Sequence, residues 1–194
     1  MEQQYIERLL TFVSGHASLT DQNIAAFLGL FRQLRFVPKQ HIVTPSVERS
    51  TLFFMCTGCA RYYYLAENGK EWNKAFVSEG MMSTSFAADF LGSPSPYGIQ
   101  ALEDTVLLMA SYEEFEALYD DHPMIERLGR KLVELVLISK MKRERSFLQD
   151  SALMRYHDFV AQNPGILGRI SKFHLASYLG ITESSLSRLR ADQM

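Results

Sequence analysis

The residues with the most chemistry to offer lie near the end of the chain. Ser184, Ser185, Ser187, Arg188 and Arg190 follow one another closely, with Glu183 just before them and Lys172 a short distance upstream. On a helix, such residues present hydroxyl and guanidinium donors along one solvent face. Those donors hydrogen-bond phosphate oxygens and base edges, and a guanidinium matches the paired acceptors of guanine. A solvated helical hairpin has a similar outer face, so the flanking residues must decide between the two. They favour a nucleic-acid contact. Ser171 can cap a helix from Lys172 to Leu179, Gly180 permits a tight turn, and Thr182 can cap a second helix with Glu183 in its first turn. Ala176 is small enough for two helices to cross, and Leu175, Ile181, Leu186 and Leu189 can lock the pair. That spacing is the helix-turn-helix register.

The other chemistry-bearing groups carry weaker signals. Cys56-Thr-Gly-Cys59 is the only cysteine pair. Its Thr57-Gly58 centre reads as a turn between two β-runs, not as the helix N-terminus that activates a thiol, and two thiolates fall short of a structural metal set. Plain strand cysteines are the expectation. Of His16, His41, His122, His157 and His174, only His41 falls in the β-rich middle, so neither a metal nor another cofactor is expected. Neither a phosphate loop nor a nucleophile elbow occurs, and the chain does not read as an enzyme. The run Tyr62-Tyr63-Tyr64, with Trp72 and Phe76, could stack bases, but alternation along a strand sends neighbours to opposite faces and favours core packing. Met82, Ser83, Thr84, Ser85, Phe86, Ser95 and Tyr97 could line a pocket for a small-molecule effector. A filled interior without a ligand fits the same residues.

These groups need elements to position them. Ile6, Leu9, Leu10 and Val13 are helically spaced, and a second helix should follow from Thr20 with Ile24, Phe27, Leu28 and Phe31 on one face. From Leu34 to about Ser111 short runs of Val, Ile, Phe, Tyr and Thr alternate with turn signals, of which Asn68-Gly69 is the sharpest. That spacing predicts an antiparallel sandwich or barrel. Helical periodicity resumes at Tyr112. After Pro123, the residues Ile125, Leu128, Leu132 and Leu135 make an apolar seam on a helix running to about Phe147, whose length and polar flanks favour pairing with a second copy. Ser151 to Gln162 should form another helix before the break at Asn163-Pro164-Gly165.

Bulk properties set limits without choosing a function. The chain has 194 residues, 47% hydrophobic and 22% charged, with a net charge of −2. Between residues 165 and 194 four basic residues face two acidic ones, a local tilt that suits a polyanion. The polar start Met1-Glu2-Gln3-Gln4 is unlike a signal peptide, and no 18-residue apolar stretch occurs, Leu132 to Ile138 being interrupted by Glu134. A cytoplasmic protein without a membrane span is expected.

The order of a β-roll, a long helix and a C-terminal helix pair resembles the Crp/Fnr transcriptional regulators over essentially the whole sequence. It is closest over residues 151–190, with the Arg155-Tyr156 pair, the Pro164-Gly165 break and the run from Ala176 to Thr182. The resemblance implies an α+β chain: an N-terminal double-stranded β-helix or jelly-roll domain of cyclic-nucleotide-binding type (1–115), a long dimerisation helix (116–148) and an all-α helix-turn-helix domain (149–194). It implies a homodimer on double-stranded DNA, with RNA polymerase a further candidate partner. In its register Gly58, Gly69 and Gly80 are turn glycines, and Ser184, Ser185 and Arg188 face DNA. Two departures stand out. Where cyclic-nucleotide binders place a Glu for the ribose and an Arg-Ser for the phosphate, this chain has Ser85 and Ser95-Pro96. Neither Arg nor Lys occurs between Gly80 and Gly98. A buried phosphate without a cation carries a heavy desolvation cost, so cyclic AMP is not expected to be the signal. The sequence also ends four residues after Arg190, which predicts a motif without a wing.

Overall fold

In the computed structural model, residues 1–46, 49–85 and 94–191 are described. Two short helices come first, α1 (Gln3–Ser14) and α2 (Asp21–Gly29), the second started by Thr20, whose side chain accepts from the Asn23 amide in a capping box. Eight strands follow: β1 (Arg32–Phe36), β2 (His41–Val43), β3 (Thr51–Thr57), β4 (Cys59–Leu65), β5 (Glu71–Ser78), β6 (Met82–Thr84), β7 (Tyr97–Ala101) and β8 (Thr105–Ser111). They pair antiparallel into two four-stranded sheets, ordered β1-β8-β3-β6 and β2-β7-β4-β5. The helices α3 (Tyr112–Ala117), α4 (Pro123–Gln149), α5 (Ala152–Gln162), α6 (Lys172–Leu179) and α7 (Glu183–Ala191) complete the chain.

Strand alternation sorts the apolar side chains into three layers. Phe53, Met55, Ala60, Tyr62, Val77, Tyr97, Ile99 and Leu107 fill the space between the sheets. Leu52, Phe54, Cys56, Leu108 and Ala110 point out of the first sheet, where α1 to α4 cover them with Leu9, Phe27, Phe115, Ile125 and Leu128. Cys59 and Phe76 point out of the second sheet, beneath Tyr156, Phe159, Ile166, Leu175 and Leu179 of the C-terminal helices and their linker. The C-terminal helices therefore pack directly on the roll.

The turns follow the sequence reading closely. Gly58, Gly69 and Gly80 all have positive φ, at 96°, 78° and 79°. Asn68-Gly69 closes the β4–β5 hairpin, whereas the Thr57-Gly58 turn carries the chain from one sheet into the other rather than closing a hairpin. One consequence is that Cys56 and Cys59 belong to separate apolar layers on opposite sides of the roll. They do not form a dithiol.

The seam expected on the long helix needs a correction. Ile125 and Leu128 are fully buried and Leu132 nearly so, all inside the chain's own first layer, while Leu135 is 43% exposed. A helical repeat of apolar residues specifies a buried stripe but not what buries it, and here α1 to α3 do so for the first half of α4. The second half leaves Leu137, Ile138, Met141 and Leu148 exposed. No helix among the described residues is long and apolar enough to cross a membrane.

Candidate nucleic-acid interface and roll interior

The C-terminal helix pair is built by local chemistry. Ser171 caps α6 by accepting the His174 amide, and Gly180 ends it in the left-handed region at φ 70°. A side chain at Gly180 would also collide with the Phe147 ring, 2.7 Å from where its Cβ would sit. Thr182 Oγ1 then accepts the Ser185 amide at the start of α7. Leu175, Ala176, Leu179 and Leu186 are buried together, and the Ile181 amide donates to the Ala176 carbonyl across the turn.

This packing turns one side of α7 inward and leaves the other in solvent. Glu183, Ser184, Ser187 and Arg188 are exposed, as is Lys172 in the first turn of α6. Ser185 is half-buried beside Thr182. Arg190 differs from its neighbours: its Nε donates to the Tyr156 hydroxyl at 3.2 Å and its guanidinium lies over that ring. The structure thus brings Glu183, Ser184, Ser187 and Arg188 onto one open face, and it ties Arg190 back to α5.

The opposite side of the pair is clamped to the roll. Asn73 on β5 donates from its backbone amide to Ser177 Oγ at 2.9 Å and from its side chain to the His174 carbonyl at 2.9 Å. Arg143 of α4 donates to the Tyr178 carbonyl and stacks on the Tyr178 and Phe147 rings. Arg169 spreads its guanidinium across Glu79 and Glu103, and Glu79 also accepts the Gly58 amide. Burial alone would raise the Glu79 carboxyl, but the hydrogen bonds from Arg169 and the backbone hold it below its usual range. Burial, aided by the nearby Arg61, lowers His174 and favours its neutral form.

Within the roll, the residues singled out from the sequence do not converge on one pocket. Ser83 and Tyr97 reach the interior, where the Tyr62 hydroxyl meets Ser83 Oγ at 2.6 Å and donates to the Thr84 carbonyl at 3.0 Å. Alternation sends Met82 to the opposite face of β6, against the helices, and Thr84 pairs with Leu52 on that side. Ser85 is consumed by the strand pairing, its Oγ accepting the Thr51 amide at 2.9 Å. Ser95 closes on itself by donating to the Tyr97 carbonyl. Phe86 lies outside the described residues. The sequence reading missed the basic group that borders this interior, Lys74, whose ammonium lies 3.6 Å from the Tyr97 ring centre.

The cysteines are chemically quiet. Burial pushes the Cys56 thiol up to about 11 and the Cys59 thiol up to about 12, so neither carries a reactive thiolate at neutral pH.

Comparison with known proteins agrees with this architecture. Residues 33–122 match the family described as the cyclic nucleotide-binding domain. Among solved structures, FixK2 from Bradyrhizobium japonicum is similar at 17% identity and TM-score 0.72, over 84% of this chain and 83% of that one. A candidate transcriptional regulator of the crp/fnr family from Eubacterium rectale matches at 17% identity and TM-score 0.70, over 90% of this chain and 84% of that one. A CooA mutant from Carboxydothermus hydrogenoformans matches at 23% identity and TM-score 0.66, over 86% and 77%. None of the curated proteins matches the sequence significantly. The chain thus shares the overall fold of these solved structures, with a match to the cyclic nucleotide-binding domain over the roll.

Proposed function

We propose that this chain is a homodimeric, DNA-binding transcriptional regulator whose α6–α7 pair is a helix-turn-helix. In this reading residues 1–115 form the sensor, 116–148 the dimerisation helix and 149–194 the DNA-binding unit, and the protein works in the cytoplasm without catalysing a reaction. The observation that carries it is the division of the helix pair. α6 is fastened to the roll through His174, Ser177 and Tyr178, while Glu183, Ser184, Ser187 and Arg188 of α7 face solvent, and among the described residues no side chain holds Arg188. A helix held from behind, with a short polar face in front, is what major-groove insertion requires. Lys172 would contact phosphate, and Arg188 a base edge.

Dimerisation is assigned to the distal half of α4. Val133, Leu137, Met141 and Leu148 fall on one side at helical spacing and are 37%, 57%, 60% and 78% exposed. A second copy in parallel would cover them and set two α7 helices about one turn of DNA apart.

Cyclic AMP is not the expected signal. In the described parts of 80–98 the two serines at the decisive positions, Ser85 and Ser95, are occupied by local hydrogen bonds, and the segment contains no cation. The test of the function is selection of duplexes from a randomised pool with the purified protein. An enriched near-palindromic site is expected, and Arg188→Ala should weaken binding to it by about 1–3 kcal/mol while relaxing preference at one base pair per half-site. Failure to enrich any sequence, with the protein folded and dimeric, would remove the reading.

A further inference from the structure

We propose that the junction between the roll and α6 is a proton-operated clamp, closed while the His174 ring is neutral and released when that ring takes up a second proton. It is built on a sheet edge. Among the described residues β5 is the outermost strand of the second sheet, so the backbone groups on its free side need partners from elsewhere. At Asn73 the neighbouring helices supply them. The Asn73 amide donates to Ser177 Oγ of α6 at 2.9 Å, and the Asn73 carbonyl accepts from Arg143 of α4 at 3.4 Å. The Asn73 side chain adds the contacts that depend on protonation.

Those contacts fix the state of His174. The Asn73 side chain is buried, and it bridges Arg61 of β4 to His174 of α6. A guanidinium can only donate, so the Asn73 Oδ1 that receives Arg61 at 3.1 Å is the acceptor end of the amide. Nδ2 is left facing α6, where it donates to the His174 carbonyl at 2.9 Å and meets His174 Nδ1 at 3.2 Å. An amide nitrogen offers only hydrogens, so Nδ1 must be the bare nitrogen of the ring, with the ring proton on Nε2. The amide cannot turn over to accept from a protonated Nδ1. That would set its NH2 against Arg61 and take the donor away from the His174 carbonyl.

The surroundings also oppose a charged ring. His174 shares a cleft of about 430 Å3 with Lys39 of the β1–β2 turn, Arg61, Gln100 of β7, and Arg169 and Ser171 of the segment before α6, and this cleft gives solvent protons a path to it. Glu71 of β5 is paired with Arg61, Glu79 and Glu103 are paired with Arg169, and Lys172 follows on α6 itself. Each carboxylate in this set is thus committed to a guanidinium. Burial first, and Arg61 second, hold His174 below its ordinary value of 6.5, with Glu71 acting the other way. A ring that binds its proton less readily when docked than when released has a definite sign. The clamp is complete above 6.5 and is lost as pH falls through the docked-state value. Acid therefore frees α6 from β5. Under the regulator reading it also loosens the support behind α7, and that consequence alone rests on the proposed function.

The Asn73 backbone amide reports the clamp directly, because its partner Ser177 Oγ lies on α6. In the full-length protein without DNA, its hydrogen-exchange protection factor should fall by at least about threefold between about pH 7.5 and about pH 5, in step with the His174 ring titration followed by NMR. His174→Asn keeps an acceptor near the Nδ1 position and cannot titrate, so its protection factor should stay constant over that range. Asn73→Asp sets a carboxylate beside the ring and should move the His174 titration above 6.5 instead of below it. Wild-type protection that ignores pH, or that falls equally in His174→Asn, overturns the proposal. So does a wild-type His174 ring that titrates at or above 6.5. Duplex binding is measured separately. A protein whose clamp opens in acid but which binds no DNA loses only the regulator reading, and one that binds DNA with a pH-independent junction loses only the clamp.

Discussion

Arg169 ties the segment before α6 to the roll through the carboxylates of Glu79 and Glu103. Its side chain and the carboxylates of Glu79 and Glu103 are 28%, 29% and 33% exposed, so solvent screens the interaction only in part. Arg169→Ala would leave two carboxylates facing each other and should cost about 1–2 kcal/mol of stability. The pH dependence has a definite sign. Glu79 is held below its usual value of 4.5 in the fold, so its contribution is complete above that value and disappears as pH falls through the folded-state pKa. Thermal unfolding of the wild-type protein should therefore lose an acid-sensitive component below about pH 4.5 that Arg169→Ala lacks. Identical pH profiles would show that the fork does not bear on stability. Residues like these were hidden in the sequence. Arg169, Glu79 and Glu103 are far apart along the chain, and nothing local in any of them announces a partner. Ser171, Gly180 and Thr182 were readable for the opposite reason, since a cap or left-handed turn is satisfied within a few residues.

At the scale of elements, the long helix serves two surfaces in succession. Its first half closes the core with Ile125, Leu128 and Leu132, and its second half exposes Leu137, Met141 and Leu148. If that distal face joins two copies, Met141→Glu should turn a dimer into monomers at micromolar concentration, because two carboxylates would be buried against apolar neighbours. Leu132→Ala should instead destabilise each chain by about 2–5 kcal/mol without changing its association. Sedimentation of both variants separates the effects, and a Met141→Glu protein that stays dimeric would place the interface elsewhere. Periodicity made the helix legible and could not make its partners legible. The strands show the same boundary. The alternation that placed Tyr62 and Tyr63 on opposite faces was correct, but the one-residue slip that turns Lys74 inward is fixed by pairing between β4 and β5. The roll residues chosen from sequence included Ser85, whose hydroxyl is taken by Thr51 across the strand pairing, and Ser95, which bonds Tyr97, and omitted Lys74.

For the whole molecule, two sheets separate three apolar layers, and the outer two carry different tasks. One is covered by helices that close the roll, the other by the helices that would meet DNA. Anything that changes the roll interior has a short route to the C-terminal pair, because β5 presents Lys74 inward while its neighbour Asn73 points outward to His174 and Ser177. The role proposed for α7 is to read duplex DNA. It is tested most directly by the affinity for the selected duplex as salt is raised. If Lys172, Arg188 and their counterparts in a second copy neutralise phosphates, the logarithm of the binding constant should fall linearly with that of salt, with a slope of about −0.9 per phosphate contact. Lys172→Ala should reduce the magnitude of the slope by about 2 in a dimer, one contact per chain. Affinity independent of salt, or a slope untouched by Lys172→Ala and Arg188→Ala together, would contradict the account.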